Sequence, residues 1–278
     1  MKIIVKRSLD EKYFVDVIKG INKIIKIPKD VIFYFIEKKS DCNPIIKSLP
    51  EKSEKYFIEI CNRDVSFSYS HKNIKYIIID VKNEDYLLYD TDALKGLILH
   101  ELMHIKTSKL FDKKINLDLK KVLFKNIDKL EIREDNFDIV IRLMNYSKLL
   151  LKELYANENL IKNNFGNILF RYYYQQFSGK RYSGFLFNKK FKKDKYFIEN
   201  ILKLELSLLS VIWPLQKYKV YNYDMLLKHL QENYHIRLRN IEKSFLKLKN
   251  LYFDRFDSKN FNMLFFEEVL NVVNKRLK

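Results

Sequence analysis

The chain has 278 residues, 53 lysines and arginines against 35 aspartates and glutamates, and a net charge of +18. Hydrophobic residues make up 47% and aromatics 15%, which excludes a disordered chain, because enough apolar side chain is present to offset the entropy of ordering. Five glycines are too few for a turn-rich sandwich or barrel, so long regular elements are expected, helices above all.

Lys2–Val5 is a short apolar run. Across Glu11–Ile27 the residues Phe14, Val15, Ile18, Ile21, Ile24 and Ile25 recur at helical spacing, and Pro28 ends the helix. Val31–Ile36 and Tyr56–Ile60 are aromatic and β-branched, and both read as strands. Val65–Tyr69 alternates apolar and polar residues, the period of a half-exposed strand. His71-Lys72-Asn73 supplies turn chemistry, and Ile74–Val81 is a nearly continuous apolar strand, so the pair reads as a hairpin. From Asp90 the pattern turns helical. Asp90 or Thr91 can accept the free amides of the first turn, and the helix runs to about Leu110. Further helices are predicted at about 118–129 and 137–163, with several more from 196 to the end.

Cys42 and Cys61 lie 19 positions apart with no C-x-x-C pair, so neither a disulfide framework nor a cysteine zinc site is expected. Two free thiols fit a reducing compartment. The N-terminal MKIIVKRSLDEK regains charge after three apolar residues and does not read as a signal peptide. The longest apolar run, Leu206–Leu215, is far short of the ~20 residues of a membrane span. The expectation is a cytoplasmic protein without a membrane span.

Charge is uneven along the chain. Residues 1–160 carry a net +5 and residues 161–278 a net +13, and composition and pattern both shift near residue 165. Two parts are expected: residues 1–165, mixed α+β with a small sheet packed on helices, and residues 166–278, all-helical and strongly basic. Within the second part, residues 180–195 interleave lysine and arginine with tyrosine and phenylalanine, a pattern able to grip phosphates or steer an acidic partner. The simpler reading of that stretch is a solvated loop, since no nucleic-acid motif surrounds it.

His100-Glu101-Leu102-Met103-His104 carries the chemistry. At about 3.6 residues per turn the two histidines lie about 40° apart, one turn up the same helix face, where both imidazoles can reach one ion at roughly 2.0–2.1 Å. Glu101 is turned about 100° from His100, beside the ion rather than on it, where it can take a proton from a water that the ion polarises. With 5 histidines in the chain, chance assembly of H-E-x-x-H is expected on the order of 0.005 times. Three ionisable groups on an otherwise greasy helix are costly without a compensating charge, which favours a metal site over simple packing.

The hairpin leading into Leu97-Ile98-Leu99-His100-Glu101-Leu102-Met103-His104 resembles the zincin metallopeptidases. That resemblance implies a zincin-like fold for residues 1–165, a Zn2+ cofactor, a peptide or protein substrate, and an edge strand along which an extended substrate pairs. Ile74–Val81 or Val65–Tyr69 is that edge. No histidine follows His104 closely, so the metzincin pattern is absent. Glu153-Leu154-Tyr155-Ala156-Asn157 resembles the E-x-x-A-D/N ligand helix of gluzincins, as in the ImmA/IrrE-type and HtpX-type families. By that resemblance Glu153 is the third ligand, small Ala156 lets two helices approach, and Asn157 accepts the outer N–H of a ligand histidine. Glu158 is the next candidate ligand, then Asp128, Glu131 and Glu134. Oxyanion stabilisation falls to His235 or His229, with Tyr155 and Tyr172–Tyr174 as further candidates. The expected function is zinc-dependent peptide hydrolysis with Glu101 as general base. The alternative is a catalytically silent zincin-like domain that binds nucleic acid or a protein through its basic helical half.

Overall fold

A four-stranded sheet and eleven α-helices occupy residues 1–6, 9–63, 66–81, 90–126, 134–178, 195–234, 238–254 and 258–277, the residues described by the computed structural model. The chain is therefore mixed α+β, as its patterns suggest. It divides into two compact units, Met1–Lys106 with Asn167–Gly179, and Thr107–Gly166 with Lys180–Lys278. Each unit is discontinuous in sequence, which a single boundary at residue 165 does not describe. Among the described residues no helix is long and apolar enough to cross a membrane.

The first unit is built on strands β1 (Lys2–Val5), β2 (Val31–Ile36), β3 (Ser66–His71) and β4 (Ile74–Asp80), in the order β1-β2-β4-β3. β1, β2 and β4 run parallel, with Ile3 opposite Phe33 and Phe33 opposite Ile77, while β3 is antiparallel to β4 and pairs Phe67 with Ile78. Five of the six β2 residues are buried, as a central strand covered on both faces requires. Helix α1 (Glu11–Ile24) starts on Asp10, whose carboxylate accepts from the Tyr13 amide at 3.1 Å, and buries Phe14, Val17, Ile18 and Ile21. Phe14 packs on Phe35 with ring centroids 4.3 Å apart.

A 3-10 turn (Lys39–Cys42), helix α2 (Asn43–Ile46) and helix α3 (Glu51–Arg63) supply a second cluster, in which Phe57, Ile60 and Cys61 pack with Tyr34, Ile36, Phe67 and Ile78. Tyr56–Ile60, expected as a strand, is thus helical. Phe57, Ile60 and Cys61 form an i, i+3, i+4 stripe, while Tyr56 and Ile58 are exposed, so helical periodicity overrides the β-propensity of single residues. Lys72 and Asn73 both take positive φ, 45° and 65°, the two-residue turn whose twist suits a hairpin. His71 itself ends β3 opposite Ile74.

Helix α4 spans Thr91–Asn126, well past Leu110, and absorbs most of the separate helix expected at 118–129. Neither glycine nor proline occurs between Leu97 and Asn126, so nothing in the backbone stops it. Asp90 is its cap, accepting from the Ala93 amide at 2.7 Å. Helix α6 (Gly166–Ser178) lies against the start of α4 at Gly96. A Cβ placed on Gly96 would stand 2.6 Å from the Ile168 carbonyl oxygen and 2.7 Å from Tyr172 Cβ.

The second unit is helical. Helix α5 (Glu134–Lys162) lies against α7 (Lys195–Lys217) and α11 (Ser258–Leu277), and α8 (Tyr223–Tyr234), α9 (Leu238–Ser244) and α10 (Leu246–Asp254) come between α7 and α11 in the chain. Several of the unit's polar contacts join one helix to another. Glu199 accepts from Arg142 at 2.8 Å and pairs with Lys203 at 2.6 Å, Arg276 grips both oxygens of Glu205 at 2.7 and 2.8 Å, and Glu268 accepts the Lys247 and Leu248 amides that open α10.

Candidate metal centre

His100, Glu101 and His104 lie in the middle of α4, with His100 and Glu101 buried and His104 half-buried. The Nε2 atoms of His100 and His104 are 2.9 Å apart, with the rings nearly perpendicular at 88° and their centroids 4.5 Å apart. Both rings therefore turn the same nitrogen toward one point. Glu153, the third ligand expected from the sequence, is half-buried on α5 in the second unit.

Two imidazoles and one carboxylate are the protein ligands of a catalytic zinc site that keeps a fourth position open. Zinc–ligand bonds of about 2.0–2.1 Å in tetrahedral geometry place neighbouring ligand atoms about 3.3 Å apart. The 2.9 Å histidine separation is close to that value, so the histidine pair fits a divalent ion. The same 2.9 Å also suits an N–H···N hydrogen bond between neutral rings, so the histidine pair is satisfied with or without an ion.

Glu101 points elsewhere, as the helical rotation requires. Its Oε1 accepts from the Ser66 hydroxyl at 3.1 Å, which ties the carboxylate to the first residue of edge strand β3. The rings of Tyr172 and Tyr173 on α6 lie 5.9 and 6.0 Å from the His100 ring and are themselves buried, so they wall this side of the histidine with apolar surface. Sequence reasoning missed both Ser66 and the approach of α6 at Gly96. Ser66 stands at a polar position of the alternating segment, but which side chain it meets depends on long-range pairing.

Asn157 is buried and its amide donates to the Ser210 carbonyl at 3.0 Å, so it holds α5 to α7 within the second unit. Ala156 is also buried on α5. Glu158 accepts from Lys162 at 2.8 Å and from the Tyr218 hydroxyl. Burial alone would raise its carboxyl, but hydrogen bonds from Lys162 and Tyr218, helped by the Lys217 charge, hold it below the usual range. Tyr155 is exposed on α5, and His229 is half-buried on α8. Glu134 opens α5. His235, Asp128, Glu131 and all but the last residue of the cation–aromatic segment 180–195 lie outside the described residues; Lys195 is the first residue of α7.

No protein-family model matches this chain, and neither a curated protein nor a solved structure does so. The functional reading therefore stands on the residues themselves.

Proposed function

We propose that this chain is a zinc-dependent metallopeptidase of gluzincin type, with His100, His104 and Glu153 as ligands and Glu101 as general base. The observation that supports it most is the convergence of the His100 and His104 Nε2 atoms, with Glu101 turned aside on the same helix and held by Ser66; Glu153 enters as third ligand from its E-x-x-A-N sequence. When bound, the ion supplies Lewis acidity and lowers the pKa of a water toward about 7. Glu101 takes the proton as the water oxygen attacks the peptide carbonyl carbon, and returns it to the amine nitrogen as the C–N bond breaks. Burial keeps the carboxylate out of bulk water, and the Ser66 hydroxyl helps to orient it. The α6 tyrosines exclude water from the far side of His100.

The test measures metal content and cleavage together. Purified chain is expected to retain one zinc per molecule after dialysis and to cut a quenched-fluorescence peptide library. Glu101→Gln is expected to retain zinc and lose about 10²–10⁴-fold in turnover. Zinc retained with no cleavage by either form favours the silent zincin-like binder, whose basis is the net +13 of residues 161–278. Absence of stoichiometric zinc overturns both readings.

A further inference from the structure

We propose that Cys42 and Cys61 form a peroxide-sensitive dithiol in the first unit, in which a hydroperoxide oxidises Cys61 and Cys42 resolves it as an intramolecular disulfide. Neither thiol belongs to the metal centre. Cys42 ends the 3-10 turn and Cys61 stands in the last turn of α3, and their sulfurs face each other at 3.7 Å inside one apolar cluster. Closing that gap to the ~2.05 Å of a disulfide takes a movement of under about 2 Å, within the reach of side-chain rotation. Apolar packing alone does not call for two thiols in contact, and the chain has only these two cysteines.

The two sulfurs are not equivalent. The hydrogen bond from the Cys42 thiol brings Cys61 down to about 7, against burial and with help from the nearby Lys39 ammonium. Cys42 is pushed up, first by the same hydrogen bond and then by burial. Lys39 is held in place by Asp80 at the end of β4, 3.5 Å away. The directions of the two shifts make Cys61 the sulfur that gives up its proton more readily. Once Cys61 becomes a neutral sulfenic acid, the negative charge that retained the Cys42 proton is gone.

In the first step Cys61 Sγ attacks a peroxide oxygen. An S–O bond forms, the O–O bond breaks, and the electron pair leaves with hydroxide, which is protonated to water. In the second, Cys42 Sγ attacks Cys61 Sγ. The S–S bond forms, the S–O bond breaks, and the oxygen departs as water with the Cys42 proton. Two thiols lose two electrons and one peroxide gains them.

The full chain is treated with hydrogen peroxide, unfolded in N-ethylmaleimide and weighed. The expected product is a single chain lighter by two hydrogens, with no maleimide on either cysteine, and both sites become reactive again after a phosphine reductant. The cross-linked form is expected to melt about 5–10 °C higher, since the closed loop constrains the unfolded chain. In Cys42→Ser, Cys61 is expected to accumulate as a sulfenic acid trapped by dimedone. In Cys61→Ser, Cys42 is expected to stay a free thiol at the same dose. Maleimide on both wild-type cysteines, oxygen added to Cys61 without a disulfide, or a disulfide joining two chains overturns the proposal. The wild-type mass alone decides it if either variant misfolds.

Discussion

Replacing Ser66 with alanine removes one O–H donor from a carboxylate that is 7% exposed. A hydrogen bond to a charged group contributes about 1.5–3 kcal/mol, and here it fixes orientation rather than charge. The expected result for Ser66→Ala is a fall of about tenfold in kcat with KM and zinc content unchanged, and recovery in Ser66→Thr, read by steady-state kinetics beside metal analysis. Glu153→Ala is expected to lose zinc on dialysis, whereas Glu158→Ala keeps it, because Glu158 is engaged by Lys162 and Tyr218. If Glu158→Ala is the variant that loses metal, the ligand assignment fails. The pair His100 and His104 was legible because five consecutive residues on a helix fix their own geometry. Ser66 was not, because its partner lies 35 positions away and is chosen by the β3–β4 register.

At the scale of elements, Gly96 is where two helices come close enough to exclude a methyl group. Gly96→Ala would set its Cβ against backbone at 2.6 Å, so the helix pair must shift. The expected cost is about 1–3 kcal/mol of stability, measured by urea unfolding, in spite of the better helix propensity of alanine. An unchanged midpoint would show that α4 and α6 do not approach there. Glu199 gives an acid-side prediction. Burial would raise its carboxyl, but hydrogen bonds from Lys203 and Arg142 hold it below the ordinary range. A folded value below the unfolded one, about 4.3, means a contribution present above that pH and lost as pH falls through the folded value. Glu199→Gln is therefore expected to be less stable than wild type at pH 7, with the difference shrinking below about pH 4. Among the elements, the hairpin, β2 and α1 were legible from local period and turn residues. Tyr56–Ile60 misled because four β-prone residues in five outweighed the longer i, i+3, i+4 stripe that contains them, and α4 runs past the expected end near Leu110 because no glycine or proline stops it there.

For the whole molecule, a net charge of +18 means self-repulsion that salt relieves. Screening shortens from ~10 Å at about 0.1 M to ~3 Å at about 1 M. The described exposed ion pairs, such as Lys55 with Glu51 and Lys228 with Glu232, add little to offset that relief. Melting temperature is expected to rise over this range of sodium chloride, and a fall would mean that paired charges dominate. A chelator is expected to lower it by several degrees, with zinc restoring it, since a ligand bound only to the folded state stabilises by mass action. The division into two discontinuous units was not legible. It arises because α6 packs on Gly96 and so joins the unit that precedes it by some sixty residues, a contact that carries no compositional mark.

Trp213 is fully buried on α7, stacked 6.1 Å from Tyr252 in the second unit, and it is the only tryptophan in the chain. Its emission is thus a private spectroscopic reporter for that unit, while the reactivity of Cys42 and Cys61 toward a thiol dye reports on the other. Run in one titration, the two signals would reveal whether the halves lose order together or in succession, without adding a label to either.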